Sequence, residues 1–172
     1  MAKKVKKGQI ISLPPQGMTT TIPDKFYLVA GDAEGMTPLN AFDNALVDAG
    51  VGNTNLVKMS SILPPGSKRI QPVKLPLGAL VPVAFASKVS TQTDEVISGG
   101  VAIAIPKDPK KNGLIMEYSA AGHKEEIEKI VRHMAEEGFR QRGYELKEVV
   151  SISAQHKVAK IGAVYAAVVL WW

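Results

Sequence analysis

Ile127-Glu128-Lys129-Ile130-Val131-Arg132-His133-Met134 carries apolar side chains at i, i+3, i+4 and i+7, the spacing of one helical face. Glu125 with Lys129, and Glu128 with Arg132, stand four residues apart, which predicts ion pairs on exposed faces of that helix. Gly143 is placed to end it, and two strands follow, at about 146 to 157 and 160 to 171. Upstream, Thr37 offers an N-cap, Pro38 suits the first helical position and Gly50 a stop, so another helix is predicted over about 37 to 49. A strand at Phe26 to Ala30 precedes it, with Gly31, Asp32, Glu34 and Gly35 read as a turn. Between the helices the chain predicts strands at 54 to 60, 79 to 90, 95 to 105 and 113 to 119. Two helices among about seven strands, without strict strand-helix alternation, argue against a doubly wound parallel sheet. They predict an α+β domain of largely antiparallel or mixed sheets, with helices covering the faces.

A chain of 172 residues, 45% of them apolar, has material for one core and hence one domain. The absence of cysteine excludes disulfides and thiolate metal sites, and His123, His133 and His156 lack ligand spacing, so no metal is expected. Of the formal net charge of +5, Lys3, Lys4, Lys6 and Lys7 supply four units, leaving a nearly neutral body. Residues 1 to 24 read as a flexible arm rich in Pro, Thr and Gly, whose lysines are solvated rather than set among aromatics to grip nucleic acid. No apolar stretch follows those lysines, and Ile161 to Trp172 is too short to span a bilayer. The expectation is a soluble cytoplasmic protein with neither a membrane nor a nucleic-acid partner.

No phosphate-binding glycine loop, Gly-x-Ser-x-Gly elbow or thiol nucleophile is present. The informative segment is Asn53-Thr54-Asn55-Leu56-Val57-Lys58-Met59-Ser60-Ser61-Ile62-Leu63-Pro64-Pro65-Gly66, a strand running into a proline-stopped turn. Ser60-Ser61 alone would read as an ordinary turn cap. Taken with Leu28-Val29-Ala30-Gly31, Thr37-Pro38-Leu39-Asn40-Ala41-Phe42-Asp43, Gly52-Asn53 and Leu75-Pro76-Leu77-Gly78-Ala79-Leu80-Val81-Pro82, the segment resembles the pyruvoyl-dependent arginine decarboxylases. Ala104-Ile105-Pro106-Lys107, Gly113-Leu114-Ile115-Met116-Glu117-Tyr118 and the stretch from Gly138 to Tyr144 extend the likeness from about Leu28 to the terminal tryptophans.

The resemblance implies self-cleavage between Ser60 and Ser61, giving a β chain of residues 1–60 and an α chain of residues 61–172 that begins with a pyruvoyl group made from Ser61. Such a group forms a Schiff base with L-arginine and accepts electrons as carbon dioxide leaves, so neither pyridoxal phosphate nor a metal is needed. By the same resemblance Asn55 assists processing, Glu117 returns a proton after decarboxylation, and Asp43, with backbone near Leu46 and Gly52, faces the substrate guanidinium. From spacing alone Asn55 would be a turn asparagine, Glu117 a surface glutamate and Asp43 half of an internal salt bridge beside Leu39 and Leu46. The implied fold is a four-layer α/β/β/α sandwich, and the implied assembly a trimer of cleaved protomers with sites between neighbours. A decarboxylase for another amino acid, and a non-enzymatic assembly or nucleic-acid-binding protein with an intact serine pair, stand as alternatives.

Overall fold

The computed structural model describes residues 22–172, so all but the last three residues of the predicted arm lie outside the described residues. In chain order the elements are β1 (Lys25–Glu34), α1 (Pro38–Asp48), β2 (Asn55–Lys58), β3 (Ile62–Leu63), β4 (Lys68–Arg69), β5 (Leu80–Ser90), β6 (Val96–Pro106), β7 (Gly113–Ala121), α2 (Lys124–Gln141), β8 (Leu146–Lys157) and β9 (Gly162–Trp171). Thr37 caps α1 as its composition predicts, its hydroxyl accepting from the Asn40 amide at 3.2 Å. Gly50, at φ +79°, takes the left-handed conformation that stops the helix.

The strands form two sheets, ordered β2-β5-β9-β1-β4 and β3-β7-β6-β8. Most pairs are antiparallel, while β2 runs parallel to β5 and β4 parallel to β1. The apolar run of β9 is explained by its place at the centre of the first sheet. Tyr165, Ala167 and Val169 pack toward α1, whereas Ala166, Val168 and Leu170 pack toward the second sheet, and all six are buried. On the far face α2 presses Ile127, Val131, Ala135 and Phe139 against β6, β7 and β8. At roughly 1.5–3 kcal/mol for each large apolar side chain removed from water, that face holds the helix in place. The layers are therefore α1, first sheet, second sheet, α2, the four-layer sandwich that the family resemblance implies.

Two local expectations need correction. Residues 31–34 are not a turn but the continuation of β1, because β9 offers partners as far as Gly162. Gly31 is needed there, since a Cβ would fall 2.5 Å from the Ala45 carbonyl oxygen and keep α1 off the sheet. Glu128 and Arg132 do not pair on an exposed face. Glu128 accepts from the Ser151 and Ser153 hydroxyls at 2.7 and 2.8 Å, and Arg132 donates to Ser151 and to the Val149 carbonyl, tying α2 to β8. The two-residue strands β3 and β4 are too short to carry a periodic signal.

Candidate active site

Ser61 lies where the chain crosses from one sheet to the other. The Met59 amide donates to the Val83 carbonyl at 2.8 Å, its last hold on the first sheet, and the Ser61 carbonyl accepts from the Ile115 amide at 2.8 Å, its first hold on the second. Ser60 spans the gap, exposed and outside any strand. Pinned on both sides, Ser61 adopts φ +71°, a left-handed conformation that costs a non-glycine residue roughly 1–2 kcal/mol. Its hydroxyl donates to Glu117 Oε2 at 2.8 Å. Strand geometry makes this contact possible: Ile115 holds the Ser61 backbone, and two residues further along β7 the side chain of Glu117 points to the same face.

Ser60, Ser61, Leu114, Met116, Glu117 and Arg142 line a cavity of about 360 Å³ open to solvent. A second hollow of about 300 Å³ begins on the other side of Glu117, beside Phe85, Ser87 and Tyr118, with Lys58 Nζ 4.5 Å above the Phe85 ring. Arg142 has no counterpart among the residues expected from sequence. Its only sequence signal is a cation just beyond a helix end, which ordinarily means a capping charge.

The other expected site residues lie elsewhere in the chain. Asn55 begins β2, donating its side-chain amide to the Gly78 carbonyl at 2.8 Å, while Ser61 follows the strand's opposite end. Asp43 sits on the outward face of α1, exposed, in line with Leu39 and Val47, which are 74% and 53% exposed. It borders no buried stripe, and among the described residues no cation pairs with it. Leu46 is half-buried, its carbonyl taken by the Val51 amide at 3.0 Å. Gly52 packs so close to Val47 that a Cβ would come 2.6 Å from its Cγ2. Asp43, Leu46 and Gly52 thus belong to α1 and the turn after it, across the first sheet from the Ser61–Glu117 pair.

Among the described residues no group of three or more His, Asp or Glu side chains could hold a metal ion, and no helix is long and apolar enough to cross a membrane. A separate polar cluster fastens the β8–β9 turn to β1. His156 meets Asp32 Oδ2 through Nδ1 and Glu34 Oε1 through Nε2, each at 2.7 Å. Glu34 also accepts from the amides of Ala159, Lys160 and Ile161. The His156 bond and these amides hold the Glu34 carboxyl at about 2, well below its ordinary value.

The family model for pyruvoyl-dependent arginine decarboxylase (PvlArgDC) matches residues 25–171. A pyruvoyl-dependent arginine decarboxylase of Methanocaldococcus jannaschii is 50% identical over 151 residues, covering 88% of this chain and 92% of that protein. One from Pyrococcus abyssi is 43% identical over 157 residues, covering 90% and 99%. A solved structure of pyruvoyl-dependent histidine decarboxylase aligns at TM-score 0.47 and 14% identity, over 55% of this chain and 51% of that one.

Proposed function

This chain belongs to the pyruvoyl-dependent arginine decarboxylase family, and we propose that it converts L-arginine to agmatine and carbon dioxide with a pyruvoyl group made from its own Ser61. One observation carries the assignment of that residue: a non-glycine serine held at φ +71° between two sheet anchors, with its hydroxyl on the Glu117 carboxyl. These features suit self-processing. The Ser61 hydroxyl adds to the Ser60 carbonyl, and the peptide C–N bond breaks to leave an ester and a free amine. Loss of the Ser61 Cα proton then expels Ser60 as a carboxylate, and one water replaces nitrogen, released as ammonia. Cleavage also relieves the backbone strain at Ser61, which favours the forward direction.

The pyruvoyl group supplies an electrophilic carbonyl that captures the substrate amine and draws off the electron pair left by departing carbon dioxide. Glu117, the one carboxyl among the described residues lining the Ser61 cavity, is placed to return a proton to the substrate carbon. Asp43, Leu46, Gly52 and Asn55 cannot join that cavity within one protomer. We therefore assign them to a neighbour's site in a homo-oligomer, a trimer by the family resemblance, with Asp43 receiving the guanidinium and Asn55 assisting processing. The exposed Met36, Leu39 and Val47 around Asp43 support contact with another chain.

Intact-mass measurement of the purified protein should find two chains divided between Ser60 and Ser61, the second refractory to Edman sequencing because it lacks a free amine. Those chains should release carbon dioxide from carboxyl-labelled arginine. A single uncleaved, inactive wild-type chain overturns the proposal.

A further inference from the structure

Among the described residues Arg142 is the only cation lining the Ser61 cavity; the residue is exposed, and one hydrogen bond ties its side chain to α2. It caps the C-terminus of α2, where the helix dipole favours positive charge, and its Nη1 donates to the Gly138 carbonyl at 2.9 Å. Gly138 lets α2 close onto the Leu114 and Met116 side chains beside it. A Cβ at that position would fall 2.3 Å from Leu114 Cδ2 and 3.2 Å from Met116 Cε, so α2 meets β7 closely there, and the exposed Arg142 lies beside that seam. No carboxylate among the described residues pairs with it, and the one acid sharing the cavity, Glu117, is bonded to Ser61. Most donors of its planar fork therefore remain available.

We propose that Arg142 receives the substrate's α-carboxylate, an assignment that rests on the arginine decarboxylase reading above. The substrate brings two cationic groups and one anionic group. Arg142 repels the substrate guanidinium and offers a carboxylate a two-point, charge-assisted contact. The amino-acid end thus enters toward Arg142 and Ser61, and the side chain points away from α2. The contact has a particular kinetic character. Carboxylate charge drains away as carbon dioxide forms, so the Arg142 interaction is strongest before the reaction and weakens toward the transition state. It serves binding and orientation, and contributes nothing to lowering the barrier of the bound complex.

Arg142→Gln should therefore raise KM for arginine by at least about tenfold while leaving kcat unchanged or higher, because it removes a contact made mainly in the ground state. Agmatine lacks the carboxylate, so its inhibition constant should stay within about twofold of wild type. Arg142→Lys keeps the charge and should recover most of the KM. Calorimetry on the uncleaved Ser61→Ala chain provides a readout without turnover: arginine should bind more tightly than argininamide, and Arg142→Gln should abolish the difference. If Arg142→Gln stays uncleaved, wild-type enzyme still decides, since argininamide must then inhibit at least about tenfold more weakly than arginine binds.

Equal arginine and argininamide affinities overturn the assignment. Parallel losses of arginine and agmatine binding, with a fall in kcat, would instead make Arg142 a structural cap. Wild-type protein that neither cleaves nor decarboxylates arginine would overturn the family-based reading, whereas active wild type with an indifferent Arg142→Gln overturns only this inference.

Discussion

Replacing His156 by Gln withdraws a positive charge from between two carboxylates while keeping much of the side-chain volume, and the cost should depend on pH. The ring is 15% exposed and lies 2.7 Å from both Asp32 and Glu34. Burial alone would push its pKa down, but the hydrogen bonds to Glu34 and Asp32 outweigh burial and raise it above 6.5. A histidine raised in the folded state contributes its full stability below 6.5 and loses it as pH climbs through the raised value. Each charge-assisted bond is worth roughly 1.5–3 kcal/mol in a protected setting. Asp32 and Glu34 are 41% and 35% exposed, so water competes and the His156 contribution near pH 6 comes to about 2 kcal/mol in all. For a chain of this length that is a fall of about 4–8 °C in Tm. Thermal melts of wild type and His156→Gln, at one protein concentration, should show this gap near pH 6 and less than half of it at about pH 9.5. The gap should also close toward strong acid, as Glu34, held at about 2, gains its proton between 4.5 and that value. A gap independent of pH would refute the charge argument, and no gap near pH 6 would refute the clasp itself.

Ser61→Ala removes the attacking hydroxyl and should leave one folded, inactive chain, so normal cleavage of that variant would show that the wrong serine had been assigned. Glu117→Gln keeps an acceptor for the Ser61 hydroxyl but no transferable proton; gel analysis should show cleavage, while carbon dioxide release falls by about 10²-fold or more. Asp43→Asn should cleave normally and lose at least about tenfold in kcat/KM for arginine, with far less change for binding of neutral citrulline; an unchanged preference between the two in a cleaved variant would remove Asp43 from recognition. If sites are shared between subunits, unfolding and refolding Asp43→Asn with Glu117→Gln at equal amounts before assay should restore about a quarter of the wild-type sites, whereas no recovery from properly reassembled mixtures would place both residues in one protomer's site.

The helices were legible because their signals are local. Thr37 and Pro38 start α1 within a single turn, and the apolar spacing marks α2 as a helix and places Ile127 and Val131 on its buried face, although Ile130, expected on that face, is 40% exposed. Apolar density alone marked β9 as a buried strand. The pattern of residues around Ser60-Ser61 and along the rest of the chain was specific enough to suggest the family. Local reading failed where a distant partner decides. Gly31 to Glu34 has turn composition, yet extends as strand because β9 lies alongside. Glu128 and Arg132 have ion-pair spacing, yet turn toward the hydroxyls and carbonyl of β8.

What the sequence by itself determined is therefore what short-range chemistry can encode: two capped or periodic helices, the long strands and a serine pair in a recognisable setting. The tertiary structure alone decided that Ser61 takes φ +71°, because that angle comes from anchors on two different sheets. It alone joined Ser61 to Glu117, 56 residues away, and His156 to Asp32, 124 residues away. It also separated Asp43 from the Ser61 cavity by a whole sheet and brought Arg142 into it. Such placements depend on strand register and on which layer covers which, quantities set by the packing of the whole chain and carried by no single stretch of it.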